Sequence, residues 1–584
     1  MKRSDIAMNP APDGLAKKFD ITRRGLLKGT AIGAAAVSVG GVGAVAPVIT
    51  HAQDEAASGK LFRVGGGQAA SWVRNLNPLI PDSLRPAQYG VYEPLFIYST
   101  TNGEFTPWLA SEWSFNDDGS VLTFSLRDGV AWSDGEAFDA EDVEFTFNLL
   151  KENSALSGSS GVRSAIDYVE TFKATDASTF TVTFSQPFSP ALYAIGQQAI
   201  VPEHIWSTIE DPVTFANETP IGTGPFTEVG VFRPQYWELL KNPNYWQKGL
   251  PKIDGLAYPS YGSNDAGTLG IINDDFDWMG MFIPDVDNSF LAQDPEHLAY
   301  WFPKVSGVVG LFFNTTKAPF DNVEVRKAIS MAINREQVCT VAMYDYTGPS
   351  DATGMSDLYA KYKSQEVIEV GKDLVSLNVD RANQILDDLG YERSGDTRQT
   401  PDGTAMEYEL VMPSGWSDWM QVAQVLSQNL KEIGVSVSPK GLESTTWYDA
   451  TYKGEFDLSL GNSGSSPTPF DHFRNLMSAA AVAPVGQVST TNWIRFSDEE
   501  TDVLLSEFAA TPDETTQIEI AHQLQQRFLD LWPVAPIFPS PSWGQSSTRH
   551  FTGYPSEENP YATPGPAVTT GFLLVTTTVE PVAD

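Results

Sequence analysis

Two tryptophans three residues apart, Trp416 and Trp419 in "PSGWSDWM", bracket the carboxylate of Asp418. A flat indole suits stacking on a flat apolar ligand face, and a nearby carboxylate accepts hydrogen bonds from hydroxyls; together they suit holding a ligand rather than breaking a bond. Other tryptophans fall in expected loops: Trp72 in "SWVRNLNPL", Trp278 in "DDFDWMGMFIP", Trp447 in "STTWYDA" and Trp543 in "PSWGQ". Trp72, Trp278, Trp416 and Trp419 are the stacking candidates, with Trp447 and Trp543 as further members of the binding set. Asn75, Asp418 and Asn462 are the polar candidates. Trp113, Trp132, Trp206, Trp246 and Trp532 lie inside regular apolar patterns and read as core, the commoner fate of a tryptophan.

Catalysis would require a constellation, and none is present. The chain has no G-x-S-x-G elbow, no H-E-x-x-H, no P-loop and no G-x-G-x-x-G. His204, His297, His472, His522 and His550 are dispersed without metal-ligand spacing and read as surface or satisfied structural residues. Carboxylates are so abundant that a close pair, as in "DDFD" (274–277), carries no weight as a glycosidase dyad. No enzyme, metal or cofactor is expected.

The binding residues need elements to position them. "YELVM" (408–412) reads as a strand, "WMQVAQVLSQNLKEI" (419–433) as a helix with Val422, Leu426, Leu430 and Ile433 inward, and "VSVS" (435–438) as the next strand, a βαβ unit. "FDLSL" (456–460) is a further strand of the same lobe. In open α/β sheets ligands bind beyond the carboxyl ends of the strands, so "PSGWSD" (413–418) and "GNSGSSPTPF" (461–470) are expected to line one edge. "VRKAISMAI" places Val325, Ala328, Ile329, Ala332 and Ile333 on one helical face. Between residues 95 and 200 the pattern has period two instead, as in Leu122, Phe124, Leu126 and Phe180, Val182, Phe184, with one helix starting near Asp139 as N-cap.

The N-terminus reads as an address. Arg23 and Arg24 precede Leu26 and Leu27 and a glycine-diluted apolar stretch that ends at "THA", which resembles a twin-arginine export signal over residues 1–52. Of the 37 basic and 74 acidic residues in the chain, seven and three precede residue 53, leaving 30 against 71. So negative a surface repels nucleic acid and anionic lipid. Cys339 is the only cysteine, so neither a disulfide nor an acyl-anchored cysteine behind the signal is expected. The roughly 530 residues that remain exceed one hydrophobic core.

"YEPLFIYSTTNGEFTPWLASEWSFNDDGSVLTFSLRDGVAWSDGEAFDAEDVEFTF" (92–147), "IGTGPF" (221–226), "LKNPNYWQKGLPKID" (240–254), "LFFNTTKAPFDNVEVRKAISMAINREQV" (311–338) and "ILDDLGY" (385–391) follow one another in this order. The series resembles family 5 of the extracytoplasmic solute-binding proteins that serve ABC importers of oligopeptides, dipeptides and nickel. The resemblance implies an α/β, two-lobed periplasmic-binding-protein fold with a hinge and an additional sheet-rich domain in lobe one. It implies these parts: lobe one from 53–95, 201–285 and 534–584; the extra domain from 96–200; lobe two from 286–533. It further implies a monomeric periplasmic receptor that closes on its ligand and delivers it to a membrane permease.

In the family's oligopeptide binders, the strand equivalent to "FDLSL" leads into a Gly-Trp pair and an aspartate for the peptide's amino terminus. Gly461-Asn462-Ser463-Gly464-Ser465 stands there, with neither residue. A buried ammonium without a carboxylate costs several kcal/mol. "YPSYGSNDAGTLGIINDDFDWMGMFIPDVDNSF" (258–290), "YWFP" (300–303) and "SPTPF" are instead similar to the branch that takes up cellobiose and other β-glucan oligosaccharides. The resemblance thus implies a neutral oligosaccharide of cellobiose or laminaribiose type as ligand, with an oligopeptide as the alternative.

Overall fold

The computed structural model describes residues 60–583 apart from 82, 160, 465 and 567–569. The export signal expected over 1–52, with Arg23 and Arg24, lies outside the described residues.

Three sheets organise the chain. The first has four strands in the order Leu61–Arg63, Gly255–Pro259, Tyr236–Lys241, Phe226–Arg233, the first pair parallel and the rest antiparallel. The second is wholly antiparallel, in the order Ala110–Phe115, Val121–Leu126, Thr179–Phe184, Val169–Asp176. Its alternation does what period two predicts: Leu122 faces Val182 and Phe124 faces Phe180, all buried on one side. Helix Ala140–Glu152 covers that side, with Phe147 stacked on Phe172 and Phe180 at 4.9 and 5.5 Å. Asp139 caps it by accepting from Glu141 N at 2.8 Å, as expected.

The third sheet has five strands in the order Ser436–Leu442, Glu407–Pro413, Leu458–Asn462, Val308–Phe313, Val534–Pro539. Glu407–Pro413 lies parallel to both its neighbours, with Leu410 opposite Leu458. The βαβ unit is therefore present, its helix running Ser417–Lys431 and burying Trp419, Val422, Leu426 and Leu430 against the sheet. Helix Val323–Met331 buries Val325, Ala328 and Ile329; Ala332 and Ile333 are buried just beyond its end.

Sheet membership moves two expected boundaries. Val534–Pro539 is an edge strand of the five-stranded sheet, so lobe two does not end at 533. Leu298–Tyr300 pairs with Gln545–Ser547, which also pairs with Trp278–Met279, so the chain has not left lobe one at 286. Segments 301–307 and 540–544, termed crossing segments, each connect the sheet of Leu298–Tyr300 and Gln545–Ser547 to the five-stranded sheet. They run side by side, joined by Trp301 N to Gly544 O, Ser542 N to Pro303 O and Ser540 N to Gly307 O at 2.9, 2.8 and 2.8 Å. The fold is that of a two-lobed periplasmic binding protein with a hinge and an additional sheet-rich domain.

Candidate functional site

The two loops expected at one sheet edge do lie there, because Glu407–Pro413 and Leu458–Asn462 are parallel neighbours. At the first, Trp416 takes the N-cap position of helix Ser417–Lys431, where its extended backbone turns the chain out of the sheet. Its ring meets Trp419 at 4.7 Å and Trp447 at 5.9 Å, and Trp447 meets Trp493 at 5.4 Å with perpendicular planes. These four indoles differ in access. Trp447 and Trp419 are 1% and 6% exposed, whereas Trp416 and Trp493 are half-buried. Trp447 donates its indole N–H to Ser459 Oγ at 3.1 Å, so its polar edge is already used. Of the paired tryptophans, Trp416 can offer a face to ligand; Trp419 and Trp447 form the packed floor that fixes it, which corrects their expected role as stacking surfaces.

Lobe one meets this wall through Gln68 and Asn264. Gln68 donates to Asn264 Oδ1 at 2.7 Å, and Asn264 donates in turn to Ser417 Oγ at 3.1 Å and Asp418 Oδ1 at 3.4 Å, while its N–H reaches Gly415 O at 3.1 Å. Asp418 is buried in this contact, and burial pushes its carboxyl up to about 6, against the opposing effect of the helix N–H groups and Asn264. It ties the lobes together and is not open to ligand, a second correction.

Trp72 is half-buried on the lobe-one side and donates to Tyr258 O at 3.2 Å. Asn75 spends its side-chain oxygen on Asn77 N at 3.1 Å, a local turn. Trp278 is removed from the binding set: it is 1% exposed, Phe62 and Phe572 lie nearly parallel to its ring at 5.8 Å each, and its N–H donates to Pro564 O. Trp543 lies in a crossing segment, packed edge to face on Phe302 and Phe282 at 4.9 and 5.6 Å.

Asn462 ends its strand half-buried and accepts from Gly464 N at 2.9 Å. The loop that follows is fastened to the first residue of strand Val308–Phe313 by Val308 N to Ser463 Oγ at 3.0 Å and Ser463 N to Val308 O at 3.1 Å. It is also fastened to lobe two by Ser466 N to Tyr359 OH at 2.8 Å. Asp471 comes next, in helix Phe470–Met477, beside Gly161 of the sheet-rich domain. Burial raises its carboxyl, opposed by the charge of Arg474. The sequence shows the missing aspartate near 465 and Asp471 as the next charge after the loop, without a reason there to give Asp471 a binding role.

Asp274, Asp277 and His550 converge within 4.8 Å, but Arg63 already supplies the positive charge, at 2.9 Å from Asp274 and 2.6 Å from Asp277. His550 bonds Asp274 at 2.8 Å, the satisfied structural histidine expected.

Set beside known proteins, residues 104–483 match the family of bacterial extracellular solute-binding proteins, family 5. The chain belongs to this family. It is a substrate-binding receptor of an ABC importer and not an enzyme. It is 25% identical over 483 residues to the nickel-binding periplasmic protein of Escherichia coli, covering 80% of this chain and 88% of that one. It is 22% identical over 447 residues to a dipeptide-binding protein of Bacillus subtilis, covering 74% and 78%. A Thermotoga maritima periplasmic oligopeptide-binding protein, solved with mannohexaose bound, superposes with a TM-score of 0.83 at 27% identity, covering 91% of this receptor and 100% of that chain. Among the described residues of the receptor no helix is long and apolar enough to cross a membrane.

Residues that sequence reasoning missed in the receptor's lobe contact are Gln68 and Asn264. One signal was available: "GGGQ" (65–68) directly follows the first strand, and a glycine run at a strand end marks a close approach of backbone.

Proposed function

We propose that this receptor captures an oligosaccharide, of cellobiose or laminaribiose type, between its lobes and presents it to its permease. The observation that carries this reading is the half-open Trp416 on a floor of buried indoles at the lobe boundary. A pyranose ring offers that face a sheet of C–H groups, while its hydroxyls both donate and accept, which suits Asn462 and the uncharged loop after it. The likeness to a protein solved with mannohexaose bound supports it. A sub-micromolar affinity corresponds to about −8 to −10 kcal/mol, within reach of two stacked rings and a hydroxyl network. The receptor acts as a monomer, with lobe one, the sheet-rich domain of 96–200 and lobe two as its parts, and is exported by the twin-arginine route without an acyl anchor.

Calorimetry with cello-, laminari- and manno-oligosaccharides against tri- to pentapeptides tests this. Heat from a sugar series is expected; heat from peptides with silent sugars overturns it. Asp471 favours the peptide alternative, since it is a carboxylate near the lobe boundary that an ammonium could meet. Asp471→Asn separates the two: sugar affinity stays unchanged, whereas peptide affinity by that route falls at least tenfold.

A further inference from the structure

Arg85 differs from most of the arginines of this acidic chain in that its guanidinium is unspent; Arg233, in the outer strand Phe226–Arg233, shares this. Arg63, Arg398, Arg527 and Arg549 each hold a carboxylate. Arg326 and Arg335 are buried and give their donors mostly to backbone carbonyls. Arg85 is exposed, and among the described residues it has neither an ion-pair nor a hydrogen-bond partner. Its guanidinium lies over Gly67: a Cβ there would sit 2.9 Å from Nε and 3.1 Å from Cζ, and Gly67 holds φ +120°, a backbone conformation that favours glycine.

The surroundings mark this as the lobe boundary. Gln68, next in the chain, contacts Asn264 and presses on Gly415 of lobe two. The Arg85 charge is felt by Tyr258 and Tyr261 of lobe one and by Tyr448 of lobe two, in each case opposing the effect of burial on the phenol. Beside it, two buried polar atoms, Gln68 Oε1 and Tyr258 OH, have no partner in the protein. Buried polar atoms without partners are costly, and here Tyr258 packs on Gly66, the unspent guanidinium lies over Gly67, and Gln68 follows in the chain.

We propose that Arg85 receives a carboxylate on the ligand, so that the oligosaccharide carries an acidic residue, an aldonate or uronate, at the end that meets lobe one. Gln68 Oε1 and Tyr258 OH then take sugar hydroxyls beside it. This rests on the oligosaccharide reading and sharpens it: Trp416 holds the neutral body and Arg85 selects the charged end. The net negative charge of the protein opposes an anion, but that field is screened beyond a Debye length of about 8 to 10 Å, whereas a guanidinium binds a carboxylate in contact, bidentately. The local contact decides affinity, and the global field slows arrival.

The test is titration calorimetry on the mature protein with cellotriose and cellotrionic acid, and with neutral and uronate-terminated manno-oligosaccharides, at low and high salt. The acidic member of a pair is expected to bind 10- to 100-fold tighter, with a preference that shrinks in salt, disappears in Arg85→Gln and survives in part in Arg85→Lys. Melting temperatures of both variants are expected to stay near wild type because the side chain is exposed. Equal binding of acidic and neutral sugars, or a preference that persists in Arg85→Gln, overturns the role of Arg85 and leaves the oligosaccharide reading standing. Binding of peptides alone overturns both.

Discussion

Trp416 and Trp419 meet edge to face, their ring centroids 4.7 Å apart and their planes at 80°. Because Trp419 is held within helix Ser417–Lys431, the half-buried ring of Trp416 is fixed by its buried neighbour and needs no ligand to order it.

This arrangement separates two substitutions. If the proposed reading holds, Trp416→Ala weakens sugar binding 10- to 100-fold while shifting the melting temperature little. Trp447→Ala opens a cavity in the floor and costs about 3 to 5 kcal/mol of stability. Calorimetric titration paired with thermal melts checks both; a large melting drop for Trp416→Ala would place that ring in the core.

Two buried groups give the protein opposing responses to acid. Asp418 is raised from 3.8 to about 6 by burial, so its contribution is full below pH 3.8 and is lost as pH rises through 6. His472, with both ring nitrogens buried and unpartnered, is lowered from 6.5 to about 4 by burial, so its contribution is full above pH 6.5 and is lost as pH falls through 4. Each spans about 3 kcal/mol, and between pH 4 and 6.5 they offset each other. Glu93, also raised by burial, to about 7, adds its own loss of stability as pH rises, so Asp418→Asn is expected to make stability fall less with rising pH across that window than in the wild type, and His472→Leu to make it fall more. Urea denaturation at several pH values reads the two slopes.

Gly307 couples the hinge to the ligand loop. A Cβ at this position would lie 2.3 Å from Gly464 O and 2.4 Å from Asn462 Oδ1, distances no real contact tolerates. Gly307→Ala therefore displaces residues 462–464, costs about 1 to 3 kcal/mol in stability and lowers ligand affinity. An unchanged affinity would show that this loop does not face the ligand.

Replacing Arg23 and Arg24 together by lysine is expected to retain the protein inside the cell, as seen by fractionation and immunoblotting. Export undiminished by that change would assign the segment to another route.

Much of the frame could be read from local pattern. Period-two runs such as Leu122, Phe124, Leu126 specify a half-buried strand without help from elsewhere, and Asp139 marks a helix start by the same local logic. The tryptophans were less legible, because access is decided by distant chain. Trp278 stands in a two-residue strand whose surroundings invite a loop reading, and the ring is covered on one side by Phe572, which arrives from helix Gly571–Thr578 near the other end of the sequence. Trp447 differs from Trp416 only in what Ser459 and Trp493 place around it. Arg85 carries no motif at all; it is notable for lacking a partner, which only the assembled lobes reveal.

The paired crossing segments, 301–307 and 540–544, are stitched by backbone hydrogen bonds and by the edge-to-face contact of Trp543 on Phe302. A ladder of this kind flexes across its flat face and resists sliding of one strand past the other, so the lobes have in effect a single rotation available to them. Occupancy is thereby converted into one angle, and a permease that gauges this angle would respond alike to sugars of different length, provided each completes the same swing.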